Sequence, residues 1–507
     1  MSGTMSDIVL GLADSDSKLI LANRSGIDTL SYAELFQQVE LAASAFARHG
    51  VRPNDTALIH LSCDLEHIVA FLALVLLGAI PVSIKPGSMS DGAYRDYVVL
   101  ILERFGVDWV FDIPELEHSY LSLHWSQADS GSSSYKRHTP AAADTAFVQF
   151  SSGSTSEPKP IAISHGAICN NLRWITHIDG RTASTVGFSF LPLSHDMGLV
   201  GGLLSNLFAK NTLLLVPTEY FLRSPIRWLR EAHRLGAQVT AMPDFALRYI
   251  TRYLRLFEKN PLESKIFEHL RTIYCGAEPI RQKTIADFIC QAAALGLDAT
   301  ALYFCYGMAE ATLIVTGHRF KSMEESFMQQ GTADPIACVG AAVGNTRIVV
   351  KQGGHEDRAH GGIWVSSSSL FSGYGINSSD GPAKWFYTGD IGFVHNGDLY
   401  VCGREKEMII VNGMNLYVAD IESAVLRQYP VKYCVVLPDS DKYHVLLVQG
   451  KYELHAEEVS SHLACKFGIA PHSVTMVRPG HISRTTSGKP MRNVMLQKLK
   501  SGEEVPA

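Results

Sequence analysis

Ser151-Ser152-Gly153-Ser154-Thr155-Ser156-Glu157-Pro158-Lys159 follows directly on Ala146-Phe-Val-Gln-Phe150, an apolar run with the character of a short buried strand. Small hydroxyl residues, a glycine and a lysine suit a loop that wraps a polyphosphate. Backbone N–H groups and hydroxyls donate to phosphate oxygens, and Lys159 brings positive charge. A solvated Ser/Gly turn has the same composition, so the choice rests on the rest of the chain.

On the N-terminal side of this loop, Leu30–Arg48 has the apolar spacing of a helix, with Ser31 as its N-cap and Gly50 as its stop. Thr56–Leu61 reads as a strand, Leu65–Leu77 as a helix, Pro81–Ile84 as a strand, Tyr94–Phe105 as a helix and Val107–Phe111 as a strand. Helices alternating with apolar strands imply an α/β fold with a largely parallel sheet. Ile68–Ile84 is almost wholly apolar, yet shorter than the ~20 residues of a membrane span. Gly78 and Pro81 also interrupt it, so it reads as a buried helix turning into a buried strand. Gln127–Asp144, rich in Ser, Gly and Ala, reads as a surface connection.

On the C-terminal side, Ile168 to about Leu313 alternates again. Beyond Val339 the pattern becomes strand-rich, through Thr346–Val350, Gly362–Val365, Ile391–Val394 and Leu399–Val401, which predicts a small β subdomain. After Gly403 comes a mixed unit of ~100 residues, an ordinary domain size. The expected architecture is two α/β subdomains with parallel-rich sheets, a small β subdomain, and a small α+β C-terminal domain.

The 507 residues suffice for more than one core. A net charge of −6 without a long basic run argues against nucleic acid or an anionic membrane as partner. Nine scattered cysteines with no CxxC pair fit reduced thiols in a cytoplasmic protein. The polar N-terminus, with Asp7, Asp14 and Asp16, makes a poor signal peptide. Gly488-Lys489 comes nearest to a P-loop, but Ser483 occupies the place of the first glycine and Pro490 follows the lysine. Dinucleotide, zinc-protease and nucleophile-elbow motifs are missing as well.

Four further segments join the loop at Ser151: Gly276-Ala277-Glu278-Pro279, Tyr306-Gly307-Met308-Ala309-Glu310, Thr388-Gly389-Asp390 with Gly403-Arg404, and Thr486-Ser487-Gly488-Lys489. In this order and rough spacing they resemble the adenylate-forming superfamily of acyl-CoA synthetases, adenylation domains, luciferases and fatty acyl-AMP ligases. The resemblance runs from about Leu30 to Arg492. His195-Asp-Met-Gly-Leu199 and Ala309-Glu-Ala-Thr312 look most like the fatty acyl-AMP ligase branch.

The resemblance implies the fold and the roles. Residues 1–404 would be the adenylation core, and 405–507 a mobile lid hinged at Lys406 that carries the catalytic Lys489. Ser151, Ser152, Gly153, Ser154, Thr155 and Lys159 would hold the β- and γ-phosphates of ATP. Glu310, with Thr155, would hold Mg2+, since one carboxylate plus phosphate oxygens is a usual magnesium shell. Tyr306 would stack on adenine, with Gly276, Ala277, Glu278, Gly307 and Met308 around it. Asp390 would bond both ribose hydroxyls, Arg404 would assist at ribose or phosphate, and His195 would line the acyl pocket near the α-phosphate. Asp196 reads as structural, and Met242, Phe245 and Gly276 are candidates for the acyl wall.

The implied activity is ATP-dependent formation of an acyl-adenylate from a carboxylic, fatty-type acid, then transfer to an acyl carrier protein acting in trans. Some residues depart from the pattern. Pro160 replaces the usual glycine after the loop lysine, Met414 stands where relatives often carry arginine, and the His318–Pro335 region is shorter than the branch's usual insertion. These departures keep two alternatives open, a ligase using free CoA on an acyl or aryl acid and activation of an unusual small carboxylic or amino acid; against a third, a non-catalytic nucleotide-binding or scaffold protein, stands the retention of Lys159, Glu310, Asp390, Arg404 and Lys489.

Overall fold

The computed structural model describes residues 3–501, except 25, 88, 112, 114–115, 117–121, 124–134, 152–158, 257–264, 330–333, 352–359, 377–383, 412–413, 440–441, 449, 451–453 and 484–489. Most of the loop after Ser151, together with Lys489, therefore lies outside the described residues.

Local signals fix the first helices. The Ser31 hydroxyl accepts the Glu34 N–H, and the Glu34 carboxylate accepts the Ser31 N–H at 2.7 Å. This reciprocal cap starts the helix Tyr32–His49, and Gly50 ends it at φ 103°. The helix Leu65–Leu77 is capped by Asp64 and is buried on every side from Ile68 onward. It ends at Gly78, in the left-handed region, and leads into the wholly buried strand Ile80–Ile84. Among the described residues no helix is long and apolar enough to cross a membrane.

Two large sheets organise the chain up to Arg404. The seven-stranded sheet holds Thr56–His60, Ile80–Ile84 and Trp109–Phe111 in parallel, extended by the antiparallel pair Thr145–Ser151 and Lys159–Ser164. The fourteen-stranded sheet has a parallel half, from Lys18–Ala22 through Thr212–Leu215, Val186–Ser189, Val239–Ala241 and Thr272–Cys275 to Leu302–Gly307. Its other half is antiparallel and contains the strand-rich stretch past Val339. The expected β subdomain thus continues the second sheet rather than standing beside it. The first strand of the chain also joins this second sheet, pairing Leu19 with Leu213.

Buried side chains from the helices Tyr32–His49, Leu65–Leu77 and His165–Asp179 share one apolar core with strands of both sheets. The outer face of the seven-stranded sheet is covered by the helix Gly92–Phe105 through Val98, Ile101 and Leu102. Past Arg404 the buried residues form two further clusters between Ile409 and Met495, on either face of the sheet Tyr433–Asp439, Lys442–Val448, Ser473–Met476. There the buried pair Arg492–Glu422, at 2.7 Å, ties the helix Arg492–Ser501 to the helix Val418–Gln428.

The two-sheet core depends on the helix Leu65–Leu77, buried from Ile68 onward, whose Phe71 packs against Phe147 with ring centroids 5.9 Å apart. Phe71→Ala should lower stability by about 3–5 kcal/mol, read as a fall in the urea midpoint. A midpoint that does not move would show that this core collapses around the gap.

Candidate active site

The site forms where the strand ends of the second sheet open into a cavity of about 2170 Å³, shared with residues past Arg404. The hairpin Phe386–His395 and Asp398–Arg404 places Asp390 directly opposite Arg404. Asp390 is buried, and its carboxylate is held from two sides. The Tyr306 hydroxyl donates to Oδ2 at 2.6 Å, and the Arg404 guanidinium lies 3.3 Å from Oδ1. Burial and the neighbouring Asp390 charge push the Tyr306 phenol well above its ordinary pKa, so it stays a donor. Burial is the largest influence on Arg404 and opposes its charge, but Asp390, Glu407, Tyr306 and Glu310 together outweigh it and hold the guanidinium protonated.

Glu310 sits in a one-turn 3₁₀ segment, Ala309–Ala311, between the strands Leu302–Gly307 and Ile314–Arg319. This turn is tightly made. A Cβ on Gly307 would lie 1.8 Å from the Leu313 carbonyl oxygen, so only glycine fits. Thr312 is buried at φ 66°, ψ −56°, with the Leu313 N–H on the Ala311 carbonyl at 2.8 Å. A β-branched residue in that γ-turn is strained by about 1–3 kcal/mol. Its hydroxyl donates to the Ser369 carbonyl at 2.7 Å and holds it there. The Phe371 N–H donates to the Glu310 carbonyl, and the Tyr374 hydroxyl donates to Glu310 Oε1 at 3.0 Å.

Tyr374, which the sequence reading missed, also carries the Lys159 ammonium 5.4 Å over its ring. Lys159, read from sequence as the end of a loop, is the first residue of the strand Lys159–Ser164 and pairs with Ser151 across the hairpin. Pro160 sits opposite Phe150 on that strand, and its carbonyl accepts the Gly375 N–H at 3.0 Å. Ser152, Gly153, Ser154 and Thr155 lie outside the described residues, within 152–158.

The Gly276 turn reaches the same cavity through Ala277 and Glu278. Gly276 lies under Cys305, where a Cβ would meet the carbonyl oxygen at 2.6 Å. Ala277 has φ 66°. The Glu278 carboxylate accepts the Phe245 N–H at 2.6 Å and so caps the helix Asp244–Leu256. Gly307, Met308 and Phe245 line the cavity. Met242, expected on the wall, is fully buried in the main core; it lies one residue past the cavity-lining Ala241, where side chains switch faces.

His195 lines the cavity, two residues before the π-helix Met197–Leu204. Its Nδ1 lies 2.7 Å from Asp196 Oδ1, and its carbonyl accepts the N–H groups of Gly198 and Leu199. Asp196, read from sequence as structural, accepts the Met197 N–H at 2.7 Å and also lines the cavity. Lys406 is exposed in the turn Glu405–Glu407 at the cavity edge. Lys489 is outside the described residues, but its neighbour Pro490 lines the cavity, and the Met491 N–H donates to the Ser483 carbonyl at 2.8 Å.

A buried acid bracketed by a phenol and a guanidinium, a second acid on a strained turn and a lysine beside it form a set suited to a nucleotide. The AMP-binding enzyme family matches residues 15–375. The chain belongs to that family. A medium-chain-fatty-acid–[acyl-carrier-protein] ligase of Teredinibacter turnerae is 28% identical over 416 residues, covering 72% of this chain and 64% of the relative. A ligase of the same description from Moorena producens is 25% identical over 543 residues, covering 94% and 90%. The crystal structure of the fatty acid AMP ligase from Legionella pneumophila superposes with a TM-score of 0.72 at 25% identity, over 100% of this chain and 97% of that one. This AMP-binding enzyme therefore spans just under two thirds of the Teredinibacter relative and most of the other two.

Burial raises the pKa of Glu310, while the Tyr374 hydrogen bond and the Arg404 charge pull it down. Activity that needs Glu310 ionised should therefore fall away on the acid side above the usual carboxylate range, about 4.3 for glutamate. Tyr374→Phe removes one group that favours the ionised form. Its acid limb should move to higher pH, measured as pyrophosphate release across pH in both proteins, with the neutral plateau retained. An unmoved limb would take Tyr374 out of this coupling.

Proposed function

We propose that this AMP-binding enzyme activates a carboxylic acid with ATP, giving an acyl-adenylate and pyrophosphate, and then passes the acyl group to the phosphopantetheine thiol of an acyl carrier protein. The observation that carries the reading is the convergence of Tyr306, Asp390, Arg404 and Glu310 on one cavity. The names of the Teredinibacter and Moorena relatives support a fatty-type acid and a carrier as acceptor.

In this reading the substrate carboxylate attacks the α-phosphorus in line and pyrophosphate leaves. Both reactants are anions, so the site's work is neutralisation and alignment. Asp390 takes the ribose hydroxyls on lone pairs that Tyr306 and Arg404 leave free. Tyr306, fixed by its own bond to Asp390, presents its ring to adenine beside Ala277 and Met308. Ser151, Ser152, Gly153, Ser154, Thr155 and Lys159 hold the β- and γ-phosphates. The Glu310 carboxylate faces the cavity and suits Mg2+, which would supply charge neutralisation at the phosphates, with Thr155 as a further ligand.

We further infer that residues 405–507 act as a lid turning about Lys406, with Lys489 brought to the α-phosphate for the first half-reaction. A core of its own from Ile409 to Met495 supports this, as does the closed base of the Lys489 segment between Ser483 and Met491. Transfer to free CoA is the second reading. It is favoured by the compactness of the Phe320–Met328 link, where a four-residue helix and a two-residue strand stand.

Lys489→Ala should keep the fold by circular dichroism and lower adenylate formation about 100-fold or more, as loss of a transition-state charge partner does. Pyrophosphate exchange at the wild-type rate would remove Lys489 from the mechanism. Mass spectrometry with Mg-ATP, a panel of acids, and either CoA or a phosphopantetheinyl carrier separates the two acceptors. Acyl-adenylate consumed by the carrier alone supports the first reading, and acyl-CoA supports the second.

A further inference from the structure

At the end of the second sheet away from the nucleotide residues, two chain segments are bonded together. The helix Pro225–Arg234 runs out at Gly236, in the left-handed region at φ 73°, and leads into the strand Val239–Ala241. Residues 265–271 lead into the neighbouring strand Thr272–Cys275. The Gln238 carbonyl accepts the N–H groups of both Arg271 and Thr272, at 2.8 and 3.1 Å. Phe267 is fully buried, and its N–H donates to the Leu295 carbonyl at 3.1 Å, which anchors the backbone on either side of it.

This frame brings His233, Glu268 and His269 together at the surface. The two imidazole rings stack, with centroids 4.8 Å apart and 10° between their planes. Nε2 of each ring lies 3.8 Å from the same carboxylate oxygen, Glu268 Oε1. The three side chains are 21%, 40% and 45% exposed in chain order, so all of them are open to solvent. His233 Nδ1 is buried without a hydrogen-bond partner among the described residues, which leaves Nε2 as its open nitrogen. None of the three lines the cavity.

A separation of 3.8 Å is too long for a hydrogen bond. It is close to the spacing of donors that share one metal ion. Ligand atoms ~2.1 Å from zinc lie about 3.4–3.6 Å apart in a tetrahedral or trigonal array. A small turn of the exposed Glu268 and His269 side chains closes the difference. Two imidazoles and one carboxylate are also a zinc-type donor set, with a fourth position for water. Imidazole suits Zn2+, Cu2+ and Ni2+, whereas Mg2+ takes oxygen ligands, so the two classes of ion do not compete here. His233 Nδ1 lacks the acceptor that usually backs a metal-binding histidine, which sets the affinity below that of a fully supported site. A second triad, His318, Cys338 and Asp398, also has its donors within 4.8 Å of one another, but Cys338 is fully buried and closed to an ion from solvent.

We propose that His233, Glu268 and His269 bind a divalent transition-metal ion of the zinc class, which ties the end of the helix Pro225–Arg234 to the segment that enters the strand Thr272–Cys275. The site is separate from the acid that suits Mg2+ in the cavity, and it does not depend on the adenylation reading.

The test dialyses the untagged full-length protein against Zn2+ in the presence of Mg2+ and counts the bound zinc. Wild type should hold one more Zn2+ per chain than His269→Ala, or its Kd for that ion should be lower by about tenfold or more, at least the loss that removing an outer-shell partner brings. Glu268→Gln, nearly isosteric, should show the same loss and serves if the first variant fails to fold. Equal zinc binding by wild type and both variants overturns the assignment. The difference in Co2+ absorption between wild type and His269→Ala should carry no thiolate-to-metal band; such a band would put the ion on a cysteine and overturn it as well. Amide hydrogen exchange of residues 265–271 should slow on addition of Zn2+ in wild type alone, and exchange that does not respond overturns the tie between the two segments. Pyrophosphate release in Mg2+ alone should be equal in wild type and His269→Ala; a loss confined to the variant would overturn the separation of this site from the enzyme's reaction.

Discussion

Asp390 is the constraint on which the rest of the site depends. A carboxylate cannot be buried beside a sheet unless its charge is met, and here a phenol and a guanidinium meet it from opposite sides. The phenol ends the last parallel strand of the second sheet, and the guanidinium ends a strand of its antiparallel arm. One acid therefore joins the two halves of the sheet at the point where they open into the cavity. The Asp390 N–H is bound in turn by the Thr388 hydroxyl at 3.0 Å. Geometry and charge are thus set before any nucleotide arrives, which is the preorganisation that electrostatic catalysis needs.

Glu310 shows the complementary case, an acid held by strain rather than by pairing. Its turn needs a glycine at 307 and forces Thr312 into the left-handed region, with a single hydroxyl bond securing it. Such local cost persists only where surrounding structure over-determines it. Here the surrounding structure includes Phe371 and Tyr374, which come from a strand of the other sheet and its approach. Lys159 and Glu310 therefore both meet the same tyrosine, one over its ring and one at its hydroxyl.

What could be read from the chain alone divides along the range of the interactions. The helix Tyr32–His49 was legible because its start and stop are local: Ser31 with Glu34, and Gly50. So were the buried helix and strand around Gly78, and Asp390, Arg404, Tyr306 and Glu310 as a set, because their motifs are short strings. The pairing of Leu19 with Leu213 was not legible, since nothing in either strand names a partner nearly two hundred residues away. Tyr374 was missed for the same reason: an isolated tyrosine carries no sign that it will meet Glu310. Glu278 was legible as a member of the site, but its carboxylate's commitment to the helix at Phe245 was not. The buried cluster of Tyr274, Asp179 and Arg181 was invisible, because it joins a strand, a helix end and a loop that share no motif.

The π-helix Met197–Leu204 has a consequence of a different kind. Its wider turns leave carbonyls that the Ser205 and Asn206 side chains accept the task of satisfying, on Gly201 and Gly202. A helix of this type differs from an ordinary one by a single residue, and each residue turns an α-helix by about 100°. The cavity wall at Gly201 and Gly202 is therefore encoded in how many residues the segment has as much as in which ones. Loss of one residue would restore tighter winding and rotate one flank against the other, reshaping that wall of the cavity without altering a single side chain that lines it. In relatives of this enzyme, counting residues between the histidine and the end of that helix would say more about the shape of the pocket than comparing the residues that line it.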